Sequence, residues 1–163
     1  MSLLWCSMQE YLEVEVIMII KPGVGIDQIK FGMSQNEVIK LLGEPTRILV
    51  DEDDKDKSPV FQYNQLRLRL TFYREDDMRL GYIRTTNRHA KLQNQNLIGI
   101  PIEDALKAFG HPKSSWEEEL YFTFNSYFNE TIWTVLHEEY GVVSNIELGY
   151  LFDEKGENPI WPE

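Results

Sequence analysis

The sequence predicts an α+β fold built from two copies of one unit. Three observations lead there. Ile26–Pro45 holds a helix marked at both ends, a degraded copy recurs at Leu97–Pro112, and each is followed by β-rich sequence of similar length. Sliding the chain against itself aligns Gly32 with Gly99. The same offset pairs Val38 with Ala105, Ile39 with Leu106, Lys40 with Lys107, Leu42 with Phe109, Gly43 with Gly110 and Pro45 with Pro112. Fixed-offset similarity is the signature of a repeated supersecondary unit. The division that follows is 1–20 as an N-terminal extension and strand, 21–86 as the first α+β repeat and 87–163 as the second.

Residues 1–11 read as loosely ordered. Tyr11–Ile20 is strand-like, alternating at first and then continuously apolar from Ile17. Lys21-Pro22-Gly23 is a turn. Ser34 followed three residues later by Glu37 forms a capping box. The hydroxyl accepts the amide proton of the third helical residue, and the carboxylate reaches back to the cap. The predicted helix runs over 35–42 with Val38, Ile39 and Leu42 on one face. Gly43 can close it in a left-handed conformation, and Pro45 prevents continuation.

Arg47–Val50 begins the first sheet. The run Asp51–Lys57 is dense in charge and predicts a solvated loop. Val60–Tyr63 is a strand, Asn64-Gln65 a turn and Leu66–Tyr73 a strand. In the last, Leu66, Leu68, Leu70 and Phe72 take one face and Arg67, Arg69, Thr71 and Tyr73 the other. Arg74–Met78 is a polar turn, Leu80–Thr85 the closing strand, and Thr86–Asn96 the linker between copies. In the second copy Ile102, Ala105, Leu106 and Phe109 have helical spacing. Trp116–Phe124 and Thr131–Tyr140 read as strands around a polar turn, with Asn125–Phe128 open to extending the first. Leu120, Phe122 and Phe124 are expected to face the helices. Val142–Phe152 is the last strand, and the tail should fold back to bury Trp161.

The pattern Ile26-x-x-Ile29-x-Phe31-Gly32-Met33-Ser34-x-x-x-Val38, closing on Leu42-Gly43, resembles the repeat of the β-lactamase-inhibitor-protein-like superfamily, which includes small lipoproteins of bacterial outer-membrane assembly. The resemblance implies a short helix-loop-helix packed on an antiparallel sheet of three or four strands. Ile26–Ile29 would be the first short helix. Two such units in tandem would form one curved sheet. The second copy departs from the pattern at Gly99-Ile100-Pro101. The resemblance further implies that the sheet face away from the helices is the docking surface.

Formal net charge is −11. Phosphate backbones favour the opposite sign, so general nucleic-acid binding is disfavoured. Cys6 is the only cysteine, which excludes an intrachain disulfide and thiol-rich zinc sites. That suits a reducing compartment. No apolar run approaches the length of a membrane span, and Met1–Cys6 is too short and lacks the basic region of a secretory signal. These features lead to an expected cytoplasmic location with no membrane partner. His89, His111 and His137 make no helical metal pair, and no phosphate loop, nucleophile elbow or dinucleotide fingerprint occurs. No catalytic residue, metal or cofactor is assigned.

The remaining signal is a cationic aromatic face. Arg67, Arg69, Tyr73, Tyr82 and Arg84 should share the non-helix side of the first sheet, with Tyr121 and Trp133 added by the second unit. Tyr, Trp and Arg dominate interface hot spots. The competing explanation is β propensity with cross-strand pairing, and both stand at this level. The expected function is a non-enzymatic protein-binding module, of inhibitor or immunity type. It would act as a monomer or weak homodimer and take a partner with an acidic or amphipathic protrusion. The alternative is a small-ligand or carrier protein with a pocket between sheet and helices.

Overall fold

A computed structural model describes residues 18–163. The expectations for residues 1–17, including most of the strand-like Tyr11–Ile20, lie outside the described residues. The described chain opens with three short strands, β1 (Met18–Lys21), β2 (Gly25–Ile26) and β3 (Ile29–Lys30), then helix α1 (Gln35–Leu42). Strands β4 (Arg47–Val50), β5 (Pro59–Tyr63), β6 (Leu68–Tyr73) and β7 (Arg79–Thr85) follow. Next come β8 (Ala90–Leu92), β9 (Gln95–Asn96) and helix α2 (Ile102–Ala108). The chain ends with β10 (Glu117–Leu120), β11 (Asn125–Asn129), β12 (Thr134–Glu139), β13 (Val142–Gly149), β14 (Leu151–Phe152) and β15 (Pro159–Ile160).

The expected α+β fold of two tandem helix-loop-helix repeats is overturned. The protein is mostly β, with 45% strand, 14% helix and two α-helices among the described residues. One eight-stranded antiparallel sheet runs in the order β10-β11-β12-β13-β7-β6-β5-β4. A single helix precedes each set of four strands. The supposed first helix, Ile26–Ile29, is the hairpin β2–β3, with Asp27 in the left-handed region at φ 52°. Ile26 and Ile29 face each other across it and are both buried. The spacing i, i+3 suits one helical turn and equally two residues paired across a two-residue turn, so it could not discriminate. Gly25 settles the local choice. A Cβ there would lie 1.9 Å from the Ile29 carbonyl oxygen, so only glycine allows the strands to close.

The offset that aligns Gly32 with Gly99 has a counterpart in the backbone. The Gly32 N–H donates to the Leu80 carbonyl at 2.8 Å, and the Leu80 N–H returns to Met33 at 2.8 Å. The Gly99 N–H donates to Val143 at 2.8 Å, and the Val143 N–H returns to Ile100 at 2.9 Å. Both glycines have positive φ, 92° and 88°. In each case the residue pair before a helix clamps the start of the fourth strand after it, and β7 and β13 then pair antiparallel at the middle of the sheet.

α1 occupies its expected range. The Ser34 side chain accepts from the Glu37 N–H at 3.2 Å, and Glu37 accepts from the Ser34 N–H at 2.9 Å. Val38 is buried, with Ile39 and Leu42 packed behind it. On the same side of the sheet lie α2 and a smaller sheet ordered β3-β2-β1-β8-β9. The segment read as a linker therefore carries two strands, and β8 pairs in parallel with β1. Buried Asn87 fixes it there, donating to the Leu66 carbonyl at 2.8 Å and accepting from the His89 N–H at 2.8 Å. One core joins the two layers, including Phe31, Leu70, Phe72, Ile83, Leu106, Leu136 and Ile146.

Three further expectations fail. The Trp116–Phe124 strand stops at Leu120, because the chain reverses at Tyr121, whose N–H donates to the Phe124 carbonyl at 2.9 Å. Three strands, β10, β11 and β12, replace the expected two. Leu120, Phe122 and Phe124 do not face the helices: the first two are 70% and 104% exposed, and the Phe124 ring lies against His137 on the opposite side of the sheet. The strand Leu66–Tyr73 loses its first two residues to the turn before β6. The tail does fold back: β15 pairs with β14, Trp161 packs on Tyr150 at 5.1 Å, and Arg79 lies over its ring at 5.5 Å.

Candidate functional site on the uncovered sheet face

Strand residues alternate between faces. In β6 and β7 this sends Leu68, Leu70 and Ile83 to the core and Arg69, Tyr82 and Arg84 to the side opposite the helices. Strand pairing extends one row across that side as Arg69, Arg84, Glu147, Val135, Phe128 and Glu117. The next row aligns Val60, Thr71, Tyr82 and Gly149.

Two glycines make room for aromatic rings on this face. A Cβ on Gly149 would lie 2.5 Å from the Trp133 ring, and a Cβ on Gly81 would lie 2.3 Å from the Tyr73 ring. Each ring covers the bare backbone of a neighbouring strand. Trp133 occupies the turn before β12 with φ 41°. Its indole meets Phe128 edge-on at 5.4 Å and Tyr82 at 6.3 Å.

Glu147 is the electrostatic centre. Burial works to raise its carboxyl pKa, but the balance goes the other way. The His137 and Tyr82 side chains beside it, with the charge of Arg84, hold it below the usual carboxylate range. His137 Nε2 lies 3.2 Å from Glu147 Oε1. That nitrogen is also buried with no hydrogen bond of good geometry, so the contact is better described as an ion-pair distance than as an aligned hydrogen bond. Burial, then the neighbouring Glu147 charge, pushes the Tyr82 hydroxyl well up, so it stays protonated beside Glu147. Burial and the carboxylates of Asp51, Asp54, Glu75 and Asp76 raise Tyr73 likewise.

Five of the seven residues singled out from sequence share this face: Arg69, Tyr73, Tyr82, Arg84 and Trp133. Tyr121 sits at its far end, stacked on Phe124 at 4.6 Å, whose ring lies 5.0 Å from His137. Arg67 is not a strand residue. It turns the chain before β6 with φ 50°, and its carbonyl accepts from the Thr86 N–H and the Thr85 hydroxyl. Its side chain borders the same end of the face as Arg69 and Arg84. Sequence reasoning missed Glu147, His137, Phe124 and Phe128. Alternation with buried Ile146 and Leu148 would have found Glu147. The hidden turn at Tyr121 concealed the two phenylalanines.

The face opens into two grooves. One of about 450 Å³ lies over Val60, Thr71, Tyr73, Tyr82 and Arg84. Another of about 580 Å³ lies over Phe128, Trp133, Val135 and His137 and is edged by Glu117 and Glu119. Among the described residues no group of three His, Cys, Asp or Glu side chains is arranged to hold a metal. Nor is any helix long and apolar enough to cross a membrane.

No family model and no curated protein matches the chain. An extracellular SCP-domain-containing protein from Bacillus anthracis superposes with a TM-score of 0.51 and 14% identity, over 73% of this chain and 43% of that one. This chain thus spans less than half of that protein's length, and the likeness is one of fold alone. A DUF4309-family protein, YjgB, from Bacillus subtilis superposes at 0.44 with 23% identity, over 72% of this chain and 78% of that one. Neither bears on the β-lactamase-inhibitor-protein-like resemblance.

Proposed function

We propose that the chain is a non-enzymatic protein-binding module that docks its partner on the uncovered sheet face, as an inhibitor or immunity-type protein would. The observation that supports this most is the grouping of Arg69, Tyr73, Tyr82, Arg84 and Trp133 on the sheet face opposite the helices, where both grooves open. Such side chains bring area and hydrogen bonds to an interface at small entropic cost. Arg67 and Arg69 have no carboxylate at ion-pair distance among the described residues, which leaves their charge free for a partner, whereas Arg84 lies in the field of Glu147. A pocket between sheet and helices has less support. Val38, Ala105 and Leu106 fill that seam in one cluster with Leu70, Ile83 and Ile146, while both grooves described above open on the other side.

The partner is another protein. The acidic balance argues against nucleic acid. The single cysteine supports a cytoplasmic setting, and a monomer or weak homodimer suffices for one docking face. The test is capture of the partner from the native host by the immobilised chain. Arg69→Glu and Tyr121→Ala should each remove a specific captured protein without lowering the melting temperature. Lys40→Glu, on the exposed side of α1, should retain it. Retention by the sheet-face variants with loss by Lys40→Glu would overturn the proposal.

A further inference from the structure

The uncovered face is electrically divided. Its arginines lie on β6, β7 and the turn before β6. The 580 Å³ groove at the β10 end has no lysine or arginine in its lining. Its walls are Tyr121, Phe124, Phe128 and Trp133, and its rim carries Glu117 and Glu119, which strand register puts on the same side as Phe128 and Ser126. Glu147 closes the inner end, ionised as described above. Aromatic faces beside carboxylates form an environment for a cation: the ring quadrupole and the fixed charges attract it together. An anionic or neutral occupant would desolvate the Glu117 and Glu119 carboxylates without pairing them.

The outer side of the groove is an open strand edge. β10 pairs only with β11 among the described residues, and all four of its residues are exposed. A free edge is a template for an added strand. The run Glu117-Glu118-Glu119 makes this edge repel a copy of itself and favour a basic strand. Residues two apart on an added strand point to the same side at the repeat that separates Glu117 from Glu119.

We infer that an extended, basic segment of the partner adds to the β10 edge and seats alternate Arg or Lys side chains in this aromatic–carboxylate groove. The inference rests on the docking function proposed above and names the chemistry of the partner for this half of the face. It also revises the expectation of an acidic partner, which suits only the arginine half.

The test uses the full chain and three probes: a blocked decapeptide alternating Arg and Val, its Glu–Val counterpart, and free arginine amide. Titration is followed by calorimetry and by backbone amide shifts. The Arg–Val peptide should bind, shift the β10 amides, and weaken about tenfold as salt shortens the Debye length from about 14 to about 6 Å. Glu117→Gln with Glu119→Gln should weaken it about tenfold, and Tyr121→Ala about fivefold, at unchanged melting temperature. Equal binding of the Glu–Val peptide, indifference to the double Gln variant, or shifts confined to the Arg69 and Arg84 end would overturn the inference. Free arginine amide binding as tightly as the peptide would also overturn it, in favour of a small-cation site. Absence of peptide binding, while Arg69→Glu still abolishes capture from the host, would sink the basic-segment assignment alone and leave the docking function standing.

Discussion

Gly149→Ala tests how the uncovered face is built. The added Cβ would lie 2.5 and 2.6 Å from Cε3 and Cδ2 of Trp133. Carbon atoms in contact normally sit about 3.5–4.0 Å apart, so the indole must retreat by about 1 Å. It cannot do so freely, because Phe128 and Tyr82 meet it edge-on. Overpacking of this kind costs about 1–3 kcal/mol. For a chain of this size that is about 2–4 °C of melting temperature per kcal/mol. Urea unfolding of wild type, Gly149→Ala, Trp133→Ala and the double variant forms a cycle. Trp133→Ala alone should cost about 2–3 kcal/mol, at or below the low end for Trp truncation because the ring is half-buried. The double variant should cost no more than that, since the added methyl then enters vacated space, giving a coupling of about 1–3 kcal/mol. Gly149→Ala within about 0.5 kcal/mol of wild type, or strictly additive losses, would refute the packing proposed here.

Three further outcomes are expected. Ser34→Ala should lower stability by about 1 kcal/mol through loss of the reciprocal cap, read by urea midpoint. Gly32→Ala should cost more than Gly99→Ala by thermal unfolding. Both positions have positive φ, but only at Gly32 does the new Cβ also press on a ring, Trp161 at 3.1 Å, whereas Gly99 has open space. Glu147 should contribute stability that depends on pH. Its folded pKa lies below the unfolded value, so the contribution is full above the ordinary carboxylate pKa and disappears as pH falls through the depressed folded one. Unfolding measured from neutral pH into the acid range should therefore show a shallower decline for Glu147→Gln than for wild type.

Where the sequence was legible, one physical cause dominated. The cap at Ser34 and Glu37, the apolar face of Val38 and the stop at Gly43 all act locally, and α1 has the expected bounds. The charged loop Asp51–Lys57 and the alternation within β6 and β7 were equally plain. The failures occurred where one pattern served two structures. Ile26 and Ile29 fit a helical turn or a hairpin, and the deciding close approach at Gly25 is a tertiary fact. Tyr121–Phe124 has strand-forming residues at a turn, so its propensity pointed the wrong way. Strand β8 was hidden because its partner β1 lies far away in sequence, and β9 because it is a two-residue strand that pairs with β8. The site was half legible for the same reason. Arg69, Tyr82 and Arg84 follow from alternation within one hairpin, whereas bringing Glu147 and His137 beside them requires the β7–β13 pairing.

The most direct test of the docking face is site-specific photo-crosslinking in the native host. A photoreactive residue replaces Arg69 or Tyr121 on the uncovered sheet face, or Lys40 or Lys107 on the exposed sides of the helices. Specific adducts to one partner protein from the first two positions and none from the second two are the predicted result. Adducts from the helix positions alone, or no specific adduct from Arg69 and Tyr121, would contradict it.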